Sequence, residues 1–128
     1  MEPPVGRDED TTARNRDVWA AVNAGVTDPG AAALWAQDSI SWGLFRIPEA
    51  TLGGLGDLQG RSVAELGCGT AYLSAWLARA GAHPVAVDLS RHQLATAARC
   101  QRDHRLVFPL VAADAAAVPL RSGAFALA

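Results

Sequence analysis

The chain has 128 residues, half of them hydrophobic, with 11 basic and 13 acidic side chains and a formal charge of −2. That length suits one domain with a real core, and the scattered, nearly balanced charge offers no basic stripe to nucleic acid or to an anionic membrane surface. Met1-Glu2-Pro3-Pro4 lacks an apolar signal core, and no apolar run approaches the roughly 20 residues that span a bilayer, so a cytoplasmic location is expected.

Residues 1–12 hold Pro, Gly and clustered charge around one aliphatic, Val5, and predict a disordered tail. Residues 13–60 predict a helical cap segment. Within it Val18, Trp19 and Val22 share the face of a short helix stopped by Gly25. Asp28-Pro29 reads as an N-cap and first-turn proline that launch a second helix bearing Leu34 and Trp35. Ser39 to Pro48 is too apolar for a free linker and is expected to pack over the domain, and Gly53, Gly54, Gly56 and Gly60 then mark a loop. Trp35, Trp42 and Phe45 read first as core packing and second as a roof over a pocket.

The organised part begins near Arg61. Ser62 to Leu66 is a short strand pattern, followed by Gly67-Cys68-Gly69 and a helix with Leu73, Trp76, Leu77 and Ala80 on one face. Pro84 to Asp88 is an apolar run of the kind found in a strand buried on both faces. Ser90 and Gln93 have capping-box spacing and open a helix with Leu94, Ala97 and Ala98 inward and Arg91, Arg99 and Arg102 in water. Leu106 to Ala113 is a third strand pattern that Pro109 confines to a sheet edge, and Ala124 to Ala128 begins another. Strand and helix alternate, which predicts a parallel sheet with right-handed crossovers.

Glycines between a strand and a helix let the backbone approach a ligand. An acid at the end of the next strand, here Asp88, can hold both hydroxyls of a ribose. An adenosine-containing cofactor is therefore expected, and Tyr72 stands where the dinucleotide fingerprint needs its third glycine, which disfavours a nicotinamide cofactor. Cys68 has no His partner nearby in sequence and reads as structural. Neither the two cysteines nor His83, His92 and His104 have the spacing of a metal site, so no metal is expected.

The run Val63-Ala64-Glu65-Leu66-Gly67-Cys68-Gly69-Thr70 resembles the first motif of class I S-adenosylmethionine-dependent methyltransferases, an acid two residues before G-x-G. Val85-Ala86-Val87-Asp88-Leu89-Ser90 is similar to the family's second strand, and Ala113-Asp114-Ala115 to its adenine-binding turn. Val118 to Leu127 looks like the approach to the fourth strand. The resemblance implies a Rossmann-like three-layer α/β/α domain over 61–128, truncated at the start of its fourth strand and preceded by N-terminal helices.

It also implies roles. Gly67, Cys68 and Gly69 would bring their backbone to the methionine part of S-adenosylmethionine, Glu65 would hold its ammonium directly or through water, and Asp88 would take the ribose hydroxyls. Leu89 would cover one face of the adenine, Asp114 would accept from its exocyclic amine, and Ala115 would offer a backbone N–H. The chain departs from the family at Ala71, often a third glycine, and at Ala126, usually an acid. The activity implied is methyl transfer to a small-molecule acceptor, with no catalytic base assignable. The alternative is a catalytically inactive cofactor-binding remnant, able to self-associate through the open sheet edge beside the first strand.

Overall fold

A computed structural model describes residues 9–128. The chain opens with helix α1 (Glu9–Val22), a π-helical turn (Asn23–Thr27) and α2 (Asp28–Ala36), which follow one another without a break. Of the expected tail, residues 1–8 lie outside the described residues and Glu9 to Thr12 are the first turn of α1.

Gly25 does not stop the helix. It sits inside the π turn, where the side chain of Asn23 is buried and donates from Nδ2 to the His92 carbonyl at 3.2 Å and to Thr96 Oγ1 at 3.1 Å. Bonds across about 70 residues outweigh the glycine's local preference to end a helix, and the π turn absorbs the misfit. Asp28 is likewise no N-cap but the first residue of α2. Its Oδ1 accepts from Thr96 Oγ1 and from Arg99 Nη2, each at 2.6 Å, so Arg99 is a partner of the N-terminal segment and not only a solvated charge.

A small antiparallel hairpin follows, β1 (Ser41–Trp42) with β2 (Ile47–Pro48), then one turn of helix, α3 (Glu49–Leu52). The expected packing of this stretch over the domain holds only for part of it. Ile40 packs on the second core cluster and Trp42 donates to Glu49, but Leu44 and Phe45 at the hairpin turn are 91% and 86% exposed.

The remaining elements are β3 (Ser62–Leu66), α4 (Tyr72–Arg79), β4 (His83–Asp88), α5 (Arg91–His104) and β5 (Leu110–Ala112). The three strands are parallel in the order β3, β4, β5, with Leu66 opposite Val87 and Asp88 opposite Ala112. On the free side of β3 Leu127 forms a parallel bridge to Val63, so the C-terminal run begins to occupy the edge expected to stand open. The lateral order is thus third, second, first, fourth, that of a Rossmann-like half-sheet. The parallel sheet with flanking helices agrees with the expected class.

Local chemistry explains these elements. Ser90 Oγ accepts from Gln93 N at 3.3 Å and starts α5 as the capping spacing predicts, and Arg105 ends it with φ of 53°. Pro109 lies just before β5, and its carbonyl accepts from Ala86 N while its missing donor costs the ladder nothing. Alanines at 31, 71, 75, 86 and 97, all 0% exposed, let α2 sit close to α4 and α5 around Trp35, Leu94 and Phe108. A second cluster joins Leu58, Val63, Leu77 and Ala82.

Candidate functional site

The carboxyl ends of β3, β4 and β5 open into one cleft of about 600 Å³. One side is the sheet edge, where Gly67, Cys68, Gly69, Asp88, Leu89, Asp114 and Ala115 all lie. Seven of the eight expected site residues are therefore brought together. The eighth, Glu65, is the exception: it does not line the cleft, and its Oε1 accepts from the N and Oγ of Ser74, at 3.1 and 2.7 Å, in the first turn of α4.

The backbone of the glycine loop takes conformations that side chains rarely adopt. Gly67 and Gly69 have φ of 72° and 57°, which favours glycine, and a Cβ on Gly67 would meet nothing within 4 Å. A Cβ on Gly69 would come to 2.8 Å from Gln93 Oε1. Ala71 also has a left-handed φ, 61°, yet its methyl is fully buried in the α2-facing core and does not narrow the cleft. Trp35 fixes the loop from behind, donating from Nε1 to the Thr70 carbonyl at 2.8 Å.

The loop's donors are already in use. Gly67 N and Cys68 N donate to the Val87 carbonyl at 2.8 and 2.9 Å, and Gly69 N donates to Asp88 Oδ2 at 2.8 Å. Asp88 Oδ1 accepts from Ser90 N at 2.8 Å. Asp114 Oδ1 accepts from Ala116 N at 2.9 Å, shaping the turn after β5. Each carboxylate oxygen has a second lone pair, so these bonds orient the acids without exhausting them.

Burial pushes the Glu65 carboxyl above the usual range, and the charge of Asp88 adds to this while the Ser74 bonds oppose it. The same environment, burial first and then the two acids, pushes the Cys68 thiol far up. A thiol held protonated is no nucleophile, which agrees with the structural reading of Cys68. Among the described residues no cluster of His, Cys, Asp and Glu could hold a metal ion.

The opposite wall was not foreseen. Trp19 of α1, Val26 and Thr27 of the π turn, and Gly30 and Leu34 of α2 face the glycine loop across the cleft. Trp42 and Phe45, weighed as a roof, are not part of it, and Trp35 is core. The pattern around Trp19 signalled an amphipathic helix but not which cavity its face would meet.

Residues 63–128 match the family model described as a methyltransferase domain. The chain belongs to this family, the class I S-adenosylmethionine-dependent methyltransferases, and S-adenosylmethionine is the family's cofactor. Among solved structures it is similar to the 4+2 cyclase SpnF, with a TM-score of 0.64 and 21% identity over 89% of this chain and 46% of that one. It is also similar to magnesium protoporphyrin IX methyltransferase from Synechocystis PCC 6803 with bound SAH, with a TM-score of 0.57 and 20% identity over 84% of this chain and 53% of that one. A methyltransferase-like structure from Methanococcus maripaludis gives a TM-score of 0.54 and 15% identity over 98% of this chain and 50% of that one. At these identities the common feature is the fold, and the chain spans about half the length of each. The comparison with curated proteins gives no match. Among the described residues no helix is long and apolar enough to cross a membrane.

Proposed function

We propose that this chain binds S-adenosylmethionine in the cleft and serves methyl transfer to a small-molecule acceptor. The observation that carries the reading is where the acids lie. In a dinucleotide-binding domain the glycine loop and helix N-terminus present free N–H groups to a pyrophosphate. Here Gly69 N and Ser74 N are taken by the carboxylates of Asp88 and Glu65. The Asp88 carboxylate lines the cleft where a pyrophosphate would need no acid, with the Glu65 carboxyl behind it on Ser74, and this arrangement suits a cofactor without phosphate that carries an ammonium and a sulfonium.

The fit extends along the strand ends. Asp88 keeps lone pairs for the ribose hydroxyls, Leu89 offers an apolar face to adenine, and Asp114 and Ala115 stand at its polar edge. Held there, S-adenosylmethionine would supply an electrophilic methyl carbon; the acceptor's lone pair would form the new bond, the carbon–sulfur electrons would stay on sulfur, and the acceptor's proton would leave to solvent. What the chain's own residues supply is alignment of the two reactants and a site narrowed by α1 and α2. Calorimetric titration of the full chain tests this. Saturable binding of S-adenosylmethionine with no heat from NAD is expected; NAD binding, or no binding of S-adenosylmethionine, would overturn it.

Glu65 gives a second check. Because burial raises its pKa in the folded chain, its protonated form favours folding; that contribution is present below the ordinary glutamate range and is lost as pH rises through the raised value. Glu65→Gln keeps an oxygen for Ser74 and removes the charge. It should be as heat-stable as the parent, or more so, at neutral pH, yet bind S-adenosylmethionine about three- to tenfold more weakly, the difference between a charged and a neutral partner. On acidification through the raised Glu65 value, parent affinity should fall more steeply than the variant's. A variant that is much less stable and equally tight would show that Glu65 serves the fold alone.

A further inference from the structure

The two walls of the cleft differ in chemistry. Among the described residues, the acids that line the cleft are Asp88 and Asp114 on the sheet wall, and on the reading above both are taken up by the cofactor. The wall built from α1, the π turn and α2 contributes Asn15, Trp19, Val26, Thr27, Gly30 and Leu34, none of which ionises. Arg16, one residue from Asn15, faces a neighbouring depression shared with Glu9 and Asp114 and does not line the cleft.

Two of these side chains lack cover. Trp19 is 50% exposed and Val26 is 68% exposed, and both face a concave space that is continuous with the glycine loop. Apolar surface in such a position gains from a ligand that removes it from water, and an indole face adds a preference for rings. A carboxylate or phosphate on the ligand would meet no lysine or arginine among the described residues that line the cleft, and would lie beside the acids Asp88 and Asp114.

We infer that the methyl acceptor is an uncharged, ring-bearing apolar molecule held against Trp19, Val26 and Leu34, with Asn15 and Thr27 as the polar groups that meet its heteroatom. The inference rests on the methyltransferase reading and adds the acceptor's class to it.

The test uses the full chain saturated with S-adenosylhomocysteine and titrated with naphthol, an uncharged ring alcohol, and with naphthoate, the same rings bearing a carboxylate. Naphthol is expected to bind saturably and naphthoate at least about tenfold more weakly, the cost of bringing an unpaired charge to this wall. Trp19→Ala should weaken naphthol about tenfold through lost ring contact, and Val26→Lys should reverse the preference toward naphthoate. Both residues are exposed, so the thermal midpoint of either variant should stay near the parent's, and each variant is titrated at an S-adenosylhomocysteine concentration that saturates it. If S-adenosylhomocysteine binds but naphthoate binds as tightly as naphthol, or Trp19→Ala changes nothing, the acceptor inference alone is overturned. If S-adenosylhomocysteine itself fails to bind, the methyltransferase reading falls and takes this inference with it.

Discussion

Asp88→Ala is expected to weaken S-adenosylmethionine binding by at least about 100-fold, because two hydrogen bonds from ribose hydroxyls to a charged oxygen contribute roughly 1.5–3 kcal/mol each. The loss has a second source within the chain. Asp88 Oδ2 accepts from Gly69 N and Oδ1 from Ser90 N, so the same carboxylate holds the glycine loop and the start of α5 in register. Without it the loop's φ of 57° at Gly69 has less to hold it, and the cofactor must order the loop as it binds. Asp88→Asn separates the two sources. Its single carbonyl oxygen can serve one backbone donor but leaves an amide facing the other, so an intermediate affinity is expected by calorimetry. Equal binding by parent and Asp88→Ala would remove Asp88 from the site.

That Asp88 is legible in the sequence follows from how local its signals are. A buried apolar run from Pro84 to Val87 makes a strand whatever else the chain does, and the Ser90–Gln93 cap starts a helix directly after it. The acid between them must then lie at the carboxyl end of β4, beside the glycine turn after β3. Glu65 was legible as a residue but not in its direction, because whether its carboxylate turns to the cleft or to Ser74 depends on how α4 seats against β3.

The N-terminal segment was legible as helix and little more. Nothing near Gly25 announces that Asn23 is bonded to His92 and Thr96, and nothing near Asp28 announces Arg99. Those partners lie about 70 residues on, and a pattern reading sees only neighbours within a turn or two. For the same reason the chain's aromatic residues divided unexpectedly. Phe45 sits on a solvent-facing hairpin turn, Trp19 lines the cleft, and Trp35 is fully buried.

Trp35 carries the second large effect, and it joins the two walls of the site. Its indole stacks on Phe108 with ring centroids 6.0 Å apart and donates to the Thr70 carbonyl, while Trp76 of α4 donates back to the Leu34 carbonyl at 2.8 Å. The helix that bears Gly30 and Leu34 is thus tied to the glycine loop by the indole of Trp35 and to α4 by the indole of Trp76, two donors running in opposite directions. Trp35→Phe keeps a ring against Phe108 but leaves the Thr70 carbonyl, in a residue only 2% exposed, without its partner. An unsatisfied buried acceptor costs about 1–3 kcal/mol, and the smaller ring adds a cavity cost, so a total destabilisation of about 2–5 kcal/mol is expected in urea unfolding. Under conditions where the variant remains folded, its S-adenosylmethionine affinity should still fall, because the loop is no longer held from behind. Trp76→Phe is the control: it removes the reciprocal bond at Leu34, away from the glycine loop, and should lower stability with less effect on cofactor affinity. If Trp35→Phe lost stability yet bound S-adenosylmethionine as tightly as the parent, Trp35 would be core packing alone, and the coupling between α2 and the glycine loop would have no bearing on the site.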